Sequence, residues 1–116
     1  MLFQKKVRVF PVEEVTTRDP NEVPPESVGL TQQNVDAIWR AVEWLYRVGL
    51  HPSIGLCIRR HGKVVINRAI GHERGNAPGD SRSTPKVQAT HDTQFNVYSV
   101  SKMVVAMLVH LLNQSD

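Results

Sequence analysis

Two serines and a lysine stand at the front of the most apolar segment of this chain. The segment FNVYSVSKMVVAMLVHLL covers residues 95–112 and carries Ser99, Ser101 and Lys102. Hydroxyl and ammonium groups are costly to bury without a partner, so their presence here needs a reason. Side chains three residues apart on a helix lie over one another, which predicts that those of Ser99 and Lys102 meet. A serine whose proton is taken by an amine is a nucleophile suited to acyl transfer.

The lysine can act as a base only if its amine is neutral. An ordinary lysine has a pKa of about 10.4 and is protonated at neutral pH. Apolar neighbours such as Val104 and the positive end of the helix dipole both disfavour the charged form, so we expect a lowered pKa for Lys102. The same helix end directs backbone N–H groups toward an oxyanion formed beside Ser99.

Two other interpretations of this segment compete with the catalytic one. A membrane helix needs roughly twenty apolar residues, whereas residues 100–112 supply about thirteen, interrupted by Lys102 and His110, so no membrane span is expected. A serine N-cap followed by a lysine that extends to solvent fits the Ser-x-x-Lys spacing equally well. A second Ser-x-x-Lys, from Ser83 to Lys86, contains a proline in loop-like sequence, and we reject it as a chance match.

The composition excludes several classes of protein. Hydrophobic residues make up 41% and charged residues 22% of the 116-residue chain, which is typical of one small globular domain. The net charge is +3, without a basic tract interleaved with aromatic residues, so no nucleic-acid partner is expected. A single cysteine, Cys57, allows no internal disulfide and fits a reducing compartment. No secretory signal is visible at the N-terminus, which predicts a cytoplasmic location.

No cofactor and no metal site are expected. The five histidines are spread singly, without the paired spacing of metal ligands, and no glycine-rich phosphate loop occurs. His110 is predicted to be a structural histidine on a buried helix. Cys57 is predicted to be a core residue of a strand.

The first half of the chain contains one clear helix. Residues 1–30 carry many charges and four of the seven prolines, which predicts an extended or partly disordered N-terminal arm. A helix is predicted from Thr31, its N-cap, to Val48, ended by Gly49. Trp39 and Trp44 are expected to pack, one buried and one partly exposed.

The second half is predicted to contain a hairpin, a long loop and a buried helix. Two β-rich runs between Ser53 and Gly71 flank His61-Gly62, a two-residue turn. Residues 71–91 are rich in glycine, proline, serine and aspartate, which indicates a long loop. Asp92-Thr93 is expected to shape the turn that follows. The final helix is apolar on nearly every side and therefore belongs inside a protein.

These features together resemble the serine β-lactamase and penicillin-binding-protein superfamily, in particular its class C-related, esterase-type branch. The matching marks are the hairpin with Gly62 and Gly71, the sequence Asp92-Thr93-x-Phe95, and Ser99-Val100-Ser101-Lys102 at the front of an apolar helix. The combination covers residues 31–116. It is far more specific than the Ser-x-x-Lys spacing alone.

The resemblance implies an α+β fold in which an antiparallel sheet is flanked by helices beside a helical region. It implies that Ser99 is the acylated nucleophile and a backbone oxyanion donor, and that Lys102 is its general base. Members of the superfamily complete the site with a later tyrosine motif and a Lys- or His-x-Gly strand, and neither occurs in this sequence. Tyr98 also departs from the small residue common at that position. We therefore expect residues 31–116 to be the N-terminal part of an incomplete domain.

The sequence thus predicts a serine hydrolase that forms an acyl-enzyme on a small carboxylic ester or amide. Esters are preferred over β-lactams and D-peptides because no secretion signal is visible. The alternative is a truncated, catalytically incompetent fragment or a non-enzymatic acyl-binding module. We expect the 116-residue fragment alone to fold poorly and to be inactive. No feature of the sequence fixes the oligomeric state.

Overall fold

A small antiparallel sheet is the centre of the fold. The computed structural model describes residues 6–94 and 100–114. The strands are β1 (Thr16–Arg18), β2 (Ser53–Arg60), β3 (Lys63–Arg74) and β4 (Val87–Gln88), and the helices are α1 (Val12–Val15), a 3₁₀ helix (Pro25–Val28), α2 (Gln32–Arg47) and α3 (Val100–Gln114). β1 and β2 pair with opposite edges of β3, and β4 pairs with the C-terminal end of β3. The predicted α+β class is confirmed.

Helix α2 forms where its sequence pattern predicts it. The Thr31 hydroxyl accepts the Asn34 N–H at 3.2 Å, and the Asn34 side chain accepts the Thr31 N–H at 3.0 Å. This reciprocal cap satisfies two backbone donors that a helix start otherwise leaves free. Gly49, with a φ of 82°, follows the helix end. Trp39 is buried and Trp44 is exposed, which confirms the predicted division between the two tryptophans.

The hairpin between β2 and β3 is also confirmed. His61 and Gly62 have φ values of 53° and 75°, the positive values that a two-residue turn with the twist of its strands requires. The prediction that the second strand ends at Gly71 is wrong, because β3 continues to Arg74. Gly71 has a φ of 100°, and a Cβ there would overlap the Pro52 carbonyl. The glycine therefore permits a close approach of two backbones rather than a turn.

The apolar core lies between α2, the sheet and the N-terminal segment. Its two clusters of buried side chains are Val12, Val15, Trp39, Tyr46 and Ile70, and Val28, Val35, Val65 and Ile66. Full burial of such a side chain stabilises the folded state by about 1.5–3 kcal/mol. Three of these valines come from residues 6–30, so the N-terminal segment contributes to the core.

A buried ion pair fastens the N-terminal segment to the central strand. Arg68 on β3 is 3% exposed, and its Nε and Nη2 donate to the Glu22 carboxylate at 3.0 Å each. The same carboxylate accepts the Asn67 N–H at 2.7 Å, and the Asn67 amide donates to Asp19 at 2.8 Å. The Arg68 guanidinium also lies 5.5 Å from the centre of the Trp39 ring on α2. The sheet, helix α2 and the N-terminal segment therefore all contact the Arg68 guanidinium.

The part of helix α3 from residue 105 to residue 114 is exposed, contrary to prediction. Side chains 105–114 are exposed, including Leu108 at 55% and Leu112 at 70%, and so is His110. The predicted burial is wrong for this chain because the apolar faces of α2 and of the sheet pack on each other. Within the described ranges, no helix has the length and apolar character to cross a membrane.

Cys57 is exposed as well, so its predicted place in the core is wrong. Neighbouring residues of a strand point to opposite faces. Ile54 and Leu56 pack against the core, and Cys57 lies in the alternate register on β2.

The Glu22–Arg68 pair predicts a large stability loss on truncation of one partner. Replacing Glu22→Ala leaves a buried, uncompensated guanidinium, so we expect the free energy of unfolding to fall by about 3–5 kcal/mol. Chemical denaturation measures the change. Glu26→Ala is the matched control, because Glu26 is exposed, and its effect is expected to stay within about 0.5 kcal/mol. A loss below about 1 kcal/mol for Glu22→Ala would contradict the role assigned to the pair.

Candidate active site

The chain is fastened to the sheet shortly before it reaches the candidate nucleophile. β4 pairs with β3 through His72 with Gln88 and Arg74 with Val87. The next residue, Ala89, is fully buried, and its N–H donates to the Gly71 carbonyl at 2.9 Å. Its own carbonyl accepts the Thr17 hydroxyl at 2.8 Å. Since both backbone groups of Ala89 are held, the sheet fixes the position of the chain at this residue.

A hydrogen-bonded turn follows Ala89. The Thr93 N–H donates to the Thr90 carbonyl at 3.1 Å, and the Thr90 N–H donates to Thr93 Oγ1 at 2.8 Å. The Asp92 N–H donates to the Thr90 hydroxyl at 3.3 Å. Thr93 Oγ1 in turn donates to Glu73 Oε2 on β3 at 2.9 Å. The prediction that Asp92-Thr93 shapes a turn is confirmed.

Ser99 lies outside the described residues, and so does its predicted contact with the Lys102 side chain. The backbone of Lys102 belongs to α3. The N–H groups at a helix start lack partners within the helix and carry the positive end of its dipole. The roles of Ser99 and Lys102 stay predictions.

In the second Ser-x-x-Lys, from Ser83 to Lys86, the lysine ammonium binds backbone carbonyls. The Lys86 ammonium donates to the backbone carbonyls of Arg82 and Thr84 at 3.0 Å each. Ser83 Oγ lies 3.0 Å from Ser81 Oγ. The Lys86 ammonium and the Ser83 hydroxyl are each bonded to other groups. The arrangement agrees with the rejection of this copy.

Two surface cavities are both lined in part by the turn at residues 90–93. One, of about 430 Å³, is lined by Glu73, Arg74, Asp92, Thr93 and Gln94. The other, of about 190 Å³, is lined by residues that include Cys57, Asn67, His91 and Thr93. In the part of the chain that the structure describes, no group of three or more histidine, cysteine or acidic side chains is placed to hold a metal ion.

Sequence reasoning missed the part played by Glu73. A strand that ends at Gly71 places residues 72–74 in a loop, whereas they belong to β3. The three residues after Gly71 are all polar and continue no apolar alternation, so no local signal extends the strand. No local pattern connects Glu73 with Thr93, twenty residues later.

His72 lies where β3, β4 and the N-terminal segment meet. Its ring stands edge-on to that of Phe10, with 4.9 Å between the ring centres. Nδ1 of His72 is buried and has no hydrogen-bond partner among the described residues. Burial, and next the nearby charge of Lys86, lower the pKa of His72 below its ordinary value of 6.5. The folded state therefore prefers the neutral ring.

Among the comparisons with known proteins, only the comparison with protein-family models gives a match. The family model described as Beta-lactamase matches residues 42–116. That range contains the end of α2, the hairpin, the turn at residues 90–93, Ser99 and α3. The searches of curated proteins and of solved structures gave no match.

The lowered pKa of His72 predicts a loss of stability in mild acid. Above the unfolded-state pKa of 6.5 the ring is neutral in both states, and its contribution to stability is complete. As the pH falls below that value, the unfolded chain takes up the proton first, so the free energy of unfolding decreases until the pH passes the folded-state pKa. Denaturation between about pH 7.5 and pH 5 should show a flatter dependence in His72→Phe than in the wild type.

The control for this experiment is His51→Gln, since His51 is exposed. We expect this variant to keep the pH dependence of the wild type. An unaltered slope in His72→Phe would show that His72 does not cause the acid-side loss.

Proposed function

This chain belongs to the beta-lactamase family, and on that premise we propose that it carries the nucleophilic centre of a serine hydrolase acting through an acyl-enzyme. The observation that supports the proposal most directly is the extent of the family match. Residues 42–116 include both Ser99 and Lys102 together with strands β2, β3 and β4.

The proposed reaction has two steps. Ser99 Oγ attacks the carbonyl carbon of the substrate while the neutral amine of Lys102 accepts the hydroxyl proton. The tetrahedral intermediate collapses, the carbonyl–leaving-group bond breaks, and the leaving group takes the proton from Lys102. Water then attacks the acyl-enzyme and releases the carboxylic acid with Ser99 free again. The Ser99 N–H is proposed as one donor to the oxyanion.

The helix position of Lys102 supports its part in this mechanism. A base at neutral pH must lack a proton, and the unsatisfied N–H groups at the start of α3 oppose a positive charge there. Ser83 and Lys86 offer the same residue spacing without that setting, because Lys86 is surrounded by carbonyl oxygens. The proposal therefore assigns the chemistry to one copy only.

The proposed substrates are small carboxylic esters, with amides such as β-lactams and D-peptides as the second class. Both contain a carbonyl carbon that the serine hydroxyl can attack, which transfers the acyl group to the serine. A cytoplasmic location belongs to the same proposal, since the single exposed thiol of Cys57 is best preserved in a reducing compartment.

A non-enzymatic acyl-binding chain is the alternative, and one observation favours it. The side chains of residues 105–114 on α3 are exposed to water, whereas a lysine base needs a dry environment to stay neutral. In that form the serine would react once with an acylating agent without turnover. Product release from an ester separates the two functions, because only the enzyme gives more than one product molecule per chain.

The first test of the proposal is acylation of Ser99 in the full-length protein. A fluorophosphonate probe, a penicillin and a short ester are each incubated with the protein, and the intact mass is measured. We expect probe labelling in the wild type and none in Ser99→Ala. Ser83→Ala, in the rejected copy, is the matched control and should label normally. Retained labelling of Ser99→Ala would overturn the assignment.

The second test concerns the base. Removing the proton acceptor in Lys102→Ala should lower the acylation rate by about 10²–10⁴-fold. The matched control is Lys86→Ala, for which we expect the wild-type rate. Equal rates in Lys102→Ala and in the wild type would exclude Lys102 as the base.

A further inference from the structure

A third cavity lies beside the buried ion pair, where the N-terminal segment, α2 and β3 meet. Its volume is about 210 Å³. Its polar lining consists of Arg18 and Glu22 from the N-terminal segment, Gln32 from α2 and Arg68 from β3. Two of these four side chains are guanidiniums, the group that binds carboxylates and phosphates through paired hydrogen bonds.

The Arg68 guanidinium has hydrogen-bond donors that the ion pair does not use. A guanidinium carries five N–H groups, and those on Nε and Nη2 that donate to Glu22 form one edge of it. Among the described residues, none accepts a hydrogen bond from Nη1. Because Arg68 is only 3% exposed, bulk water reaches little of the second edge, formed by Nη1 and Nη2. An acceptor inside the cavity would satisfy it.

Two contacts hold this guanidinium in place before any ligand arrives. Glu22, which lines the cavity, binds its Nε edge, and the Trp39 ring on α2 lies 5.5 Å from its central carbon. Both contacts place the guanidinium on the α2 side of the sheet, where the cavity is. A donor edge that is already ordered loses little side-chain entropy when it binds an anion.

The charges of the lining favour a ligand with one negative charge. Arg18 Nε lies 3.7 Å from Glu22 Oε1, and the Arg18 side chain is 60% exposed, so it can turn toward a ligand. Two guanidiniums and one carboxylate leave the lining with one uncompensated positive charge. A monoanion balances that charge, whereas a phosphate dianion exceeds it.

The rest of the lining is apolar. Its members are Val23, Pro24, Pro25, Val35 and Val65. This wall suits a hydrocarbon group better than further oxygen atoms, because the two prolines have no N–H to donate. Sites for drug-sized ligands measure about 300–1,000 Å³, so this cavity admits only a smaller molecule.

We propose that this cavity binds a small organic monocarboxylate. The carboxylate accepts hydrogen bonds from the free edge of Arg68 and from Arg18, and the short hydrocarbon body contacts the valine and proline wall. No bond is made or broken at this site. The inference concerns a ligand site separate from the proposed chemistry of Ser99 and does not rest on it.

The first experiment titrates the full-length protein with isobutyrate at constant ionic strength. Calorimetry gives the affinity, and the ¹⁵N–¹H resonance of Arg68 Nε reports binding at the guanidinium. We expect a saturable shift of that resonance and a Kd of about 1 mM, a usual value for so small a ligand. Isobutyramide, which has the same shape without the charge, and inorganic phosphate should each bind at least about tenfold more weakly.

The second experiment changes the lining without breaking the buried pair. Arg18→Gln removes the exposed guanidinium, and we expect isobutyrate to bind about five- to tenfold more weakly. Arg40→Gln is the matched control, because Arg40 is an exposed arginine of α2 that does not line the cavity. This variant should keep the wild-type affinity.

Three results would each overturn the inference. One is the absence of a saturable shift at Arg68 Nε with isobutyrate. Another is binding of isobutyramide or phosphate as tight as that of isobutyrate, since the site would then not select a monocarboxylate. The third is an equal affinity in Arg18→Gln and Arg40→Gln, which would locate the binding outside this cavity. None of these measurements depends on acylation of Ser99.

Discussion

The Arg68 guanidinium must be satisfied inside the protein, and much of the fold is arranged around that requirement. A buried cation without partners is strongly destabilising, so the strand that carries Arg68 can lie at the centre of the sheet only when Glu22 is beside it. Glu22 brings the N-terminal segment onto β3, and Trp39 brings α2 over the same group. The ion pair thus specifies how three parts of the chain, distant in sequence, come together.

The same strand that is fixed by Arg68 in its middle leads to the candidate site at its end. Beyond Gly71, which allows the backbone to pass close to Pro52, β3 continues to Arg74 and receives β4. Ala89 and the turn at residues 90–93 are held by hydrogen bonds next along the chain.

The two Ser-x-x-Lys copies show how much the surroundings of a motif decide. At Lys86 the ammonium is held by carbonyl oxygens in a surface loop. At Lys102 the backbone is part of a long apolar helix. Identical residue types at identical spacing therefore stand in two different local structures.

The sequence by itself determined the features that arise from neighbours along the chain. The Thr31 cap, the helix over residues 32–47, the turn at His61-Gly62 and the division between Trp39 and Trp44 all follow from spacings of one to four residues. Only the tertiary structure decided the continuation of β3 past Gly71, the exposure of Cys57 and of α3, and the Glu22–Arg68 and Glu73–Thr93 bonds. Those bonds join residues 46 and 20 positions apart. Strand register and packing bring such partners together, and no local pattern encodes them.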